Sequence, residues 1–156
     1  MSADIIQIEL YWEDLELGTK WATRARTITE PDLVSFINTA WLTESLFTDH
    51  DHPIGPAVRG RLVPGSMVYA IAEGLTLSAV GIYAFALLHT DMEVKGPTYL
   101  ADTIHVCSSI VELKTTSKSD RAIGRFHNEV INQKGDIVLA YSALRMIRRR
   151  SWSEDK

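Results

Sequence analysis

The feature that most constrains the fold is a run of apolar residues that follows Pro64-Gly65. At helical spacing these residues cover nearly all sides of one helix, and Glu73 is the only charged residue among them. A helix that is apolar all round is buried rather than surface-lying. The rest of the chain must therefore supply a layer that surrounds it. The apolar residues are Met67, Val68, Tyr69, Ala70, Ile71, Ala72, Leu75, Leu77, Ala79 and Val80.

The residues after this helix predict strands. Segments 84–94, 102–116, 121–132 and 136–150 each alternate or run apolar, with turn signals between them. The clearest turn is "NQKG", in which Gly135 can adopt the positive φ of a hairpin. Long strands joined by short turns favour an antiparallel sheet. The simplest solution is an α+β fold in which this sheet wraps one long buried helix.

The residues before the helix add a strand and a second helix. Segment 18–29 has the β-branched and aromatic content of a strand. Segment 29–41 predicts a helix, because Thr29 and Asp32 match a capping pattern and Pro31 suits the first turn. Apolar residues at helical spacing within it predict one buried stripe.

Length and charge limit the class of protein. The chain has 156 residues, which suits one domain, predicted for 1–150 with a tail at 151–156. The net charge of −4 argues against general nucleic-acid binding. The basic run at 148–150 is either a solvated end or a contact for a phosphate-bearing ligand or partner.

The sequence predicts a cytoplasmic protein. Its one cysteine, Cys107, allows no internal disulfide, which fits a reducing compartment. The first residues lack the pattern of a secretory signal. No run of about 18 apolar residues is present, so no membrane span is predicted.

The stretch "WLTESLFTDHDHP", 41–53, holds the chemically interesting residues between the two helices. It contains Glu44, Asp49, His50, Asp51 and His52. Consecutive residues of one segment seldom complete a metal coordination shell, so no metal site is predicted. This stretch therefore either supplies a general base, caps a turn or forms a solvated turn.

Between Tyr11 and Arg150 the chain resembles the MaoC-like dehydratases, a family with the hot-dog fold. The similarity implies an antiparallel sheet around a central helix, and activity on acyl thioesters. It rests on five patterns in the family's order: "YWEDLELGTK", "RTITEPDLVSF", "GRLVPGSM", "PTYLADTIHV" with Ala101 where glycine is usual, and "TSKSDRAIGRFHNEVINQKGDIV".

The chain departs from this family at the active loop, which generally reads D-x-N-P-x-H. In the aligned stretch Leu42 stands at the aspartate position and Phe47 at the histidine position, while Glu44 replaces the asparagine. Leucine and phenylalanine cannot transfer protons. The resemblance therefore implies the fold but not the usual catalytic pair.

Several groups are candidates for the lost chemistry. Glu44 becomes a stronger general base if Trp41 and the buried helix shield it from water. Asp49 is predicted mainly as a cap, with a catalytic role as the alternative. Histidine side chains titrate in the range that acid–base catalysis needs. His50 is therefore a candidate acid or base, either in the site of its own subunit or in that of a partner subunit.

Two further contacts are predicted for the substrate. The backbone N–H groups of Gly65 or Ser66, at the start of a helix, can polarise a thioester carbonyl whatever the side chains. Arg61 is a candidate contact for the phosphate of the carrier.

Three functions follow from the resemblance. The first is hydration or dehydration of 2-enoyl and 3-hydroxyacyl thioesters, with coenzyme A or a carrier protein as the carrier and no cofactor. The second is thioester hydrolysis. The third is a non-catalytic acyl-thioester-binding or partner subunit. A homodimer or an oligomer of dimers is expected, because an uncovered sheet edge is a liability.

Overall fold

A computed structural model describes residues 9–49, 51, 60–79, 81, 82 and 84–152. Its helices are α1 (Glu30–Ala40), α2 (Ser45–Thr48) and α3 (Gly65–Ala79), preceded by a 3-10 turn at Trp12–Asp14. The strands are β1 (Lys20–Ala22), β2 (Arg26–Thr27), β3 (Ala84–Val94), β4 (Thr103–Thr115), β5 (Arg121–Ile131) and β6 (Ile137–Arg148).

Across the described ranges these strands form one antiparallel sheet in the order β1-β4-β5-β6-β3, with β2 also paired to β4. The prediction of an antiparallel sheet with a central helix is confirmed. The periodicity located the four long strands to within about two residues. Gly135 has the predicted positive φ, +87°, in the β5–β6 turn.

The predicted strand at 18–29 is wrong in extent, because it is broken into β1 and β2. Between them Thr23 bonds to β4 through both its backbone and its side chain. Its N–H donates to the Val106 carbonyl at 2.9 Å, and its hydroxyl accepts the Val106 N–H at 3.0 Å. The side chain thus replaces part of the regular ladder.

Helix α1 begins as predicted. The Asp32 carboxylate accepts the Thr29 N–H at 3.0 Å and the Thr29 hydroxyl at 2.7 Å. These bonds, the hydroxyl bond first, lower the pKa of the Asp32 carboxyl. Leu33 and Ile37 are buried against α3 and the sheet.

Helix α3 lies on the sheet but is not buried all round, which corrects the sequence prediction. Met67, Val68 and Ala72 are buried, whereas Ala70, Gly74 and Leu77 are exposed. The sheet covers one side of the helix and α1 covers part of another. The exposed side of the helix therefore combines small residues with one large apolar side chain, Leu77.

Backbone strain appears at Ala101, which has φ +72°. The turn around it is held by the Asp102 carboxylate, which accepts the Tyr99 N–H at 2.8 Å and a side-chain N–H of Gln133 at 2.7 Å. The Ala101 N–H also donates to the Ile28 carbonyl at 3.0 Å. A left-handed conformation is easiest for glycine, which explains why the related motif usually has glycine here.

The basic run near the C-terminus joins the two ends of the described chain. Arg149 contacts Glu13 at 2.8 Å, and Arg150 pairs with Asp14. Trp152, in the predicted tail, packs its ring 5.0 Å from that of Phe85. Ion pairs this exposed add little to stability, so they fix position more than they stabilise the fold.

No helix in the described part of the chain is long and apolar enough to cross a membrane.

Candidate functional site

Leu42 and Phe47, the apolar residues that the resemblance aligns with the family's catalytic pair, pack into the protein. Leu42 and Phe47 are half-buried and pack against the main hydrophobic cluster, which includes residues of α1, α3 and the sheet. The Leu42 N–H donates to the Ile37 carbonyl at 3.1 Å, which closes the end of α1. The two residues that the resemblance aligns with the catalytic pair therefore contact the core.

Glu44 lies at the N-cap of α2 and its side chain is exposed. Its backbone carbonyl accepts the N–H of Phe47 at 2.9 Å and of Thr48 at 3.2 Å. Trp41 is 84% exposed, so it does not shield Glu44. The described residues do not provide the burial that would make this carboxylate a stronger base.

Asp49 caps a turn, as predicted. Its side-chain oxygen accepts the Asp51 N–H at 2.9 Å, and its own N–H donates to the Ser45 carbonyl at 2.8 Å. A catalytic role for Asp49 stays a prediction. His50 lies outside the described residues.

Gly65 and Ser66 form the first turn of α3, as predicted from Pro64-Gly65. The Pro64 carbonyl accepts the N–H groups of Met67 at 2.9 Å and Val68 at 3.1 Å. The N–H groups of Gly65 and Ser66 come too early in the helix for an intrahelical acceptor. They point out of a helix N-terminus, where the dipole favours negative charge.

Gly65 also allows the helix to approach the edge strand. A Cβ built on Gly65 would lie 3.0 Å from a methyl carbon of Val94, the last residue of β3. This contact is tighter than ordinary packing. The glycine therefore brings the N-terminus of α3 against the end of β3.

A pocket of about 240 Å³ opens beside Gly65. One wall is α2 and the segment leading into α3, and the other wall is the end of β3, the turn after it and the start of β6. The lining residues are Leu46, Phe47, 62–65, Val68, Val94, 96–98, Val138 and Leu139.

A larger, open groove of about 710 Å³ lies between α1 and α3 and contains the Arg26–Asp32 ion pair at 2.7 Å. We favour the smaller pocket as the site, because it alone of the two includes both the loop and the first residue of α3. Size by itself identifies no chemistry.

Arg61 is engaged within the protein. Its guanidinium pairs with Glu30 at the start of α1, and 26% of its side chain is exposed. A contact with a carrier phosphate requires that it leave or share this carboxylate, and that contact stays a prediction.

A buried polar cluster lies under α3. Glu73 pairs with Arg145 of β6, with 15% and 9% of their side chains exposed, respectively. Tyr141 lies beside Glu73, and its hydroxyl is 3.3 Å from that of Thr76. Burial raises the pKa of the Tyr141 phenol, so it stays protonated.

The sequence marks Glu73 as the only charged residue of its helix but does not identify its partner. The sequence signal is Arg145, a charged residue at a position of β6 whose side chain is expected to face the core in the strand's alternation. Elsewhere in the described ranges no group of three or more His, Cys, Asp and Glu side chains is arranged to hold a metal ion.

Solved structures with this arrangement of sheet and helix are numerous. A MaoC-like dehydratase from Rhodospirillum rubrum is 21% identical, with a TM-score of 0.79 over 92% of this chain and 99% of that one. An unliganded (R)-hydratase from Pseudomonas aeruginosa is 20% identical, with a TM-score of 0.74 over 95% and 94%. A Mycobacterium tuberculosis protein with a double hot-dog fold is 16% identical, with a TM-score of 0.82 over 93% of this chain and 46% of that one.

These similarities show that the chain has the hot-dog fold shared by MaoC-like dehydratases and (R)-hydratases. No family model matches the sequence, and no curated protein matches it.

Proposed function

We propose that this chain is an acyl-thioester hydratase/dehydratase of the MaoC-like type, acting on 2-enoyl and 3-hydroxyacyl thioesters. One observation carries the proposal. Gly65, the first residue of the central helix, lines an apolar pocket, and Leu46 and Phe47, in the stretch that the resemblance aligns with the family's active loop, form a wall of that pocket.

The binding step follows from this arrangement. The thioester carbonyl oxygen accepts the N–H groups of Gly65 and Ser66, and the acyl chain enters the pocket. When water adds to C3 of the enoyl group, negative charge develops on that oxygen. Preorganised donors stabilise it more strongly in the transition state than in the ground state.

The proton transfers need a second group. Hydration moves one water proton to a base, adds hydroxide to C3 and delivers a proton to C2. Glu44 lies in the loop between the two replaced positions, and we assign it this role, with Asp49 or His50 as helpers. Its exposed position means that bound substrate or a second subunit must bring it out of water.

A second candidate function is favoured by the pocket itself. Among its described lining residues, none carries an ionisable side chain. A chain that binds an acyl thioester without turnover, alone or as the partner of a catalytic subunit, would have such a site.

A two-channel assay separates these functions. The purified protein is given a panel of 2-enoyl-CoA and saturated acyl-CoA thioesters, and loss of enoyl absorbance and release of free thiol are followed together. We expect enoyl loss without thiol release. Replacing Glu44→Gln is expected to lower the rate at least about 100-fold, the scale of acid–base catalysis.

Glu16→Gln removes another exposed carboxylate and serves as the control, with no expected change. Thiol release in place of enoyl loss would establish a thioesterase. If folded protein that binds the substrate shows neither enoyl loss nor thiol release, the chain is a non-catalytic acyl-thioester-binding or partner subunit.

We also propose a homodimer formed through β3. Among the described strands, β3 pairs with β6 alone and so has an open edge. Met92 and Val94 pair with Tyr141 and Leu139, so they point to the helix side of the sheet, yet they are 47% and 56% exposed. An open edge with apolar side chains on its inner face favours pairing with the β3 edge of a second copy of the chain. The double hot-dog protein, of which this chain covers 46%, supports such a pairing.

Replacing Met92→Lys is therefore expected to yield a folded monomer, because a charge at the joined edges must be desolvated. Sedimentation velocity measures the change. Val111→Lys is the matched control, because Val111 is 48% exposed but lies on β4. A Met92→Lys protein that keeps the wild-type oligomeric state would exclude this edge as the interface.

A further inference from the structure

The edge strand β3 has a regular segment at its C-terminal end. Its register with β6 is interrupted before His89 and then runs without a break from His89 to Val94. The Lys95 N–H donates to the Val138 carbonyl at 2.9 Å, which extends this ladder by one residue. Because bulges disturb strand pairing, residues 89–95 are the part of the open edge best shaped to pair with a second strand.

The outer face of this segment, away from α3, is charged. The even-numbered residues point to the helix side, so His89, Asp91 and Glu93 point outward. Lys95 shares the outer face, since its ammonium group lies 2.5 Å from the Glu93 carboxylate. The side chains of these four residues are 42% to 74% exposed, so they are accessible to a second strand.

Symmetry limits how two such edges can pair. A two-fold axis joins identical edges antiparallel. Directly opposite residues point to the same face of the sheet. Each register is therefore defined by the residue that lies on the axis and faces its own copy. Within residues 89–95, only an axis at Asp91, Met92 or Glu93 joins five or more residues of each copy.

Charge distinguishes these three registers, because like charges directly opposite destabilise a strand pair and opposite charges stabilise it. An axis at Met92 places Asp91 opposite the partner's Glu93, which repeats a repulsive pair twice. An axis at Asp91 joins the two Asp91 carboxylates and offsets them with His89–Glu93 pairs, which are ionic only when the histidine is protonated. An axis at Glu93 joins two carboxylates that are each paired with their own Lys95. It also places Asp91 opposite the partner's Lys95 twice.

The inner face favours the same register. An axis at Glu93 places Met92 opposite the partner's Val94, so that two apolar side chains, 47% and 56% exposed in one copy, cover each other. An axis at Asp91 places Met92 opposite the partner's Thr90 instead. Apolar cross-strand pairs stabilise a sheet more than mixed ones.

We propose that two copies join through β3 in the register centred on Glu93, with Asp91 of each copy paired to the partner's Lys95. The inference rests on the proposed homodimer and adds the contacts that hold it. Val94 also lines the pocket beside Gly65, so this register places the partner's Met92 next to that pocket.

Charge exchange tests the register, with the dimer dissociation constant measured by sedimentation velocity over a range of protein concentrations. Asp91→Lys and Lys95→Asp, made singly, are each expected to raise this constant about tenfold, because each turns two attractive pairs into repulsive ones. The double variant restores opposite charges at both pairs. It is expected to return to within about threefold of the wild type.

Glu129→Lys is the control for a general effect of charge. Glu129 is an exposed carboxylate on β5, which β6 separates from the open edge, and its side chain is 40% exposed. Its replacement is expected to leave the dissociation constant within about threefold of the wild type, because the charge lies away from the joined strands.

Disulfide formation gives an independent measurement. In a Cys107→Ser background, Glu93→Cys is expected to form a cross-linked dimer under mild oxidation. The residue on the axis faces its own copy with Cβ atoms about 4.5–5.5 Å apart, close to the spacing of a disulfide. Asp91→Cys and Met92→Cys face other residues, and both are expected to stay unlinked on a non-reducing gel.

The outcomes separate the register from the homodimer. If Asp91→Lys tightens the dimer, or if Met92→Cys cross-links and Glu93→Cys does not, the axis lies at Met92. If the double variant stays as weak as Asp91→Lys and Asp91→Cys cross-links, the axis lies at Asp91. Either result overturns the inference and leaves the homodimer standing. If the wild type sediments as a monomer at every concentration, the homodimer fails and the register fails with it.

Discussion

Replacing Ser66→Pro is expected to lower kcat/KM for a 2-enoyl-CoA substrate about 100- to 1,000-fold, the usual cost of losing one oxyanion donor. Proline removes the Ser66 N–H and leaves the rest of the carbonyl site in place. The position tolerates proline, because the first turn of a helix needs no N–H there. Helix α1 of this protein already has Pro31 as its second residue, the position that Ser66 occupies in α3.

Ser66→Ala is the matched control, since it removes the exposed hydroxyl and keeps the N–H. We expect it to retain activity within about threefold and Ser66→Pro to retain the wild-type circular dichroism. If the two variants lose activity equally, the side chain matters rather than the backbone donor. If neither loses activity, the carbonyl is not bound at this helix terminus.

Replacing Arg145→Met is expected to lower the free energy of unfolding by about 3–5 kcal/mol, because it leaves the Glu73 carboxylate in the interior without its counterion. Arg145 and Glu73 are 9% and 15% exposed in their side chains. The pair joins α3 to β6 below the helix whose N-terminus forms the proposed site. Urea denaturation of the single variant measures this loss.

The double variant Glu73→Leu with Arg145→Met is expected to recover most of the stability, because it removes both charges and leaves apolar volume. Arg26→Met is the surface control. Arg26 is 51% exposed beside Asp32, and its loss is expected to cost no more than about 1 kcal/mol. A single Arg145→Met variant as stable as the wild type would show that water already reaches Glu73.

The fold was predictable because its signals are local and repeated. The alternating or apolar runs that predict β3, β5 and β6 extend over eleven or twelve residues each. At the start of α1, Thr29 and Asp32 make the capping contacts that their spacing predicts. The break between β1 and β2 was not predictable, because it depends on how the Thr23 hydroxyl meets β4.

The site was predictable only in part. The Gly65 and Ser66 donors follow from a helix start, which the sequence shows directly. The exposure of Glu44 depends instead on where Trp41 points, and Trp41 occupies a left-handed conformation at the end of α1, with φ 55°. The pairing of Glu73 with Arg145 joins residues 72 positions apart. Neither arrangement is encoded in a local pattern.

We expect the first N–H groups of α3 to polarise a bound thioester carbonyl, whether or not turnover follows. The infrared spectrum of a bound acyl-CoA labelled with ¹³C at that carbonyl tests this directly. The carbonyl stretch is expected to shift to lower frequency in complexes with wild type and Ser66→Ala, and to shift less with Ser66→Pro. A bound carbonyl whose frequency equals that of the free thioester in water, in all three complexes, would show that this helix terminus does not bind the carbonyl.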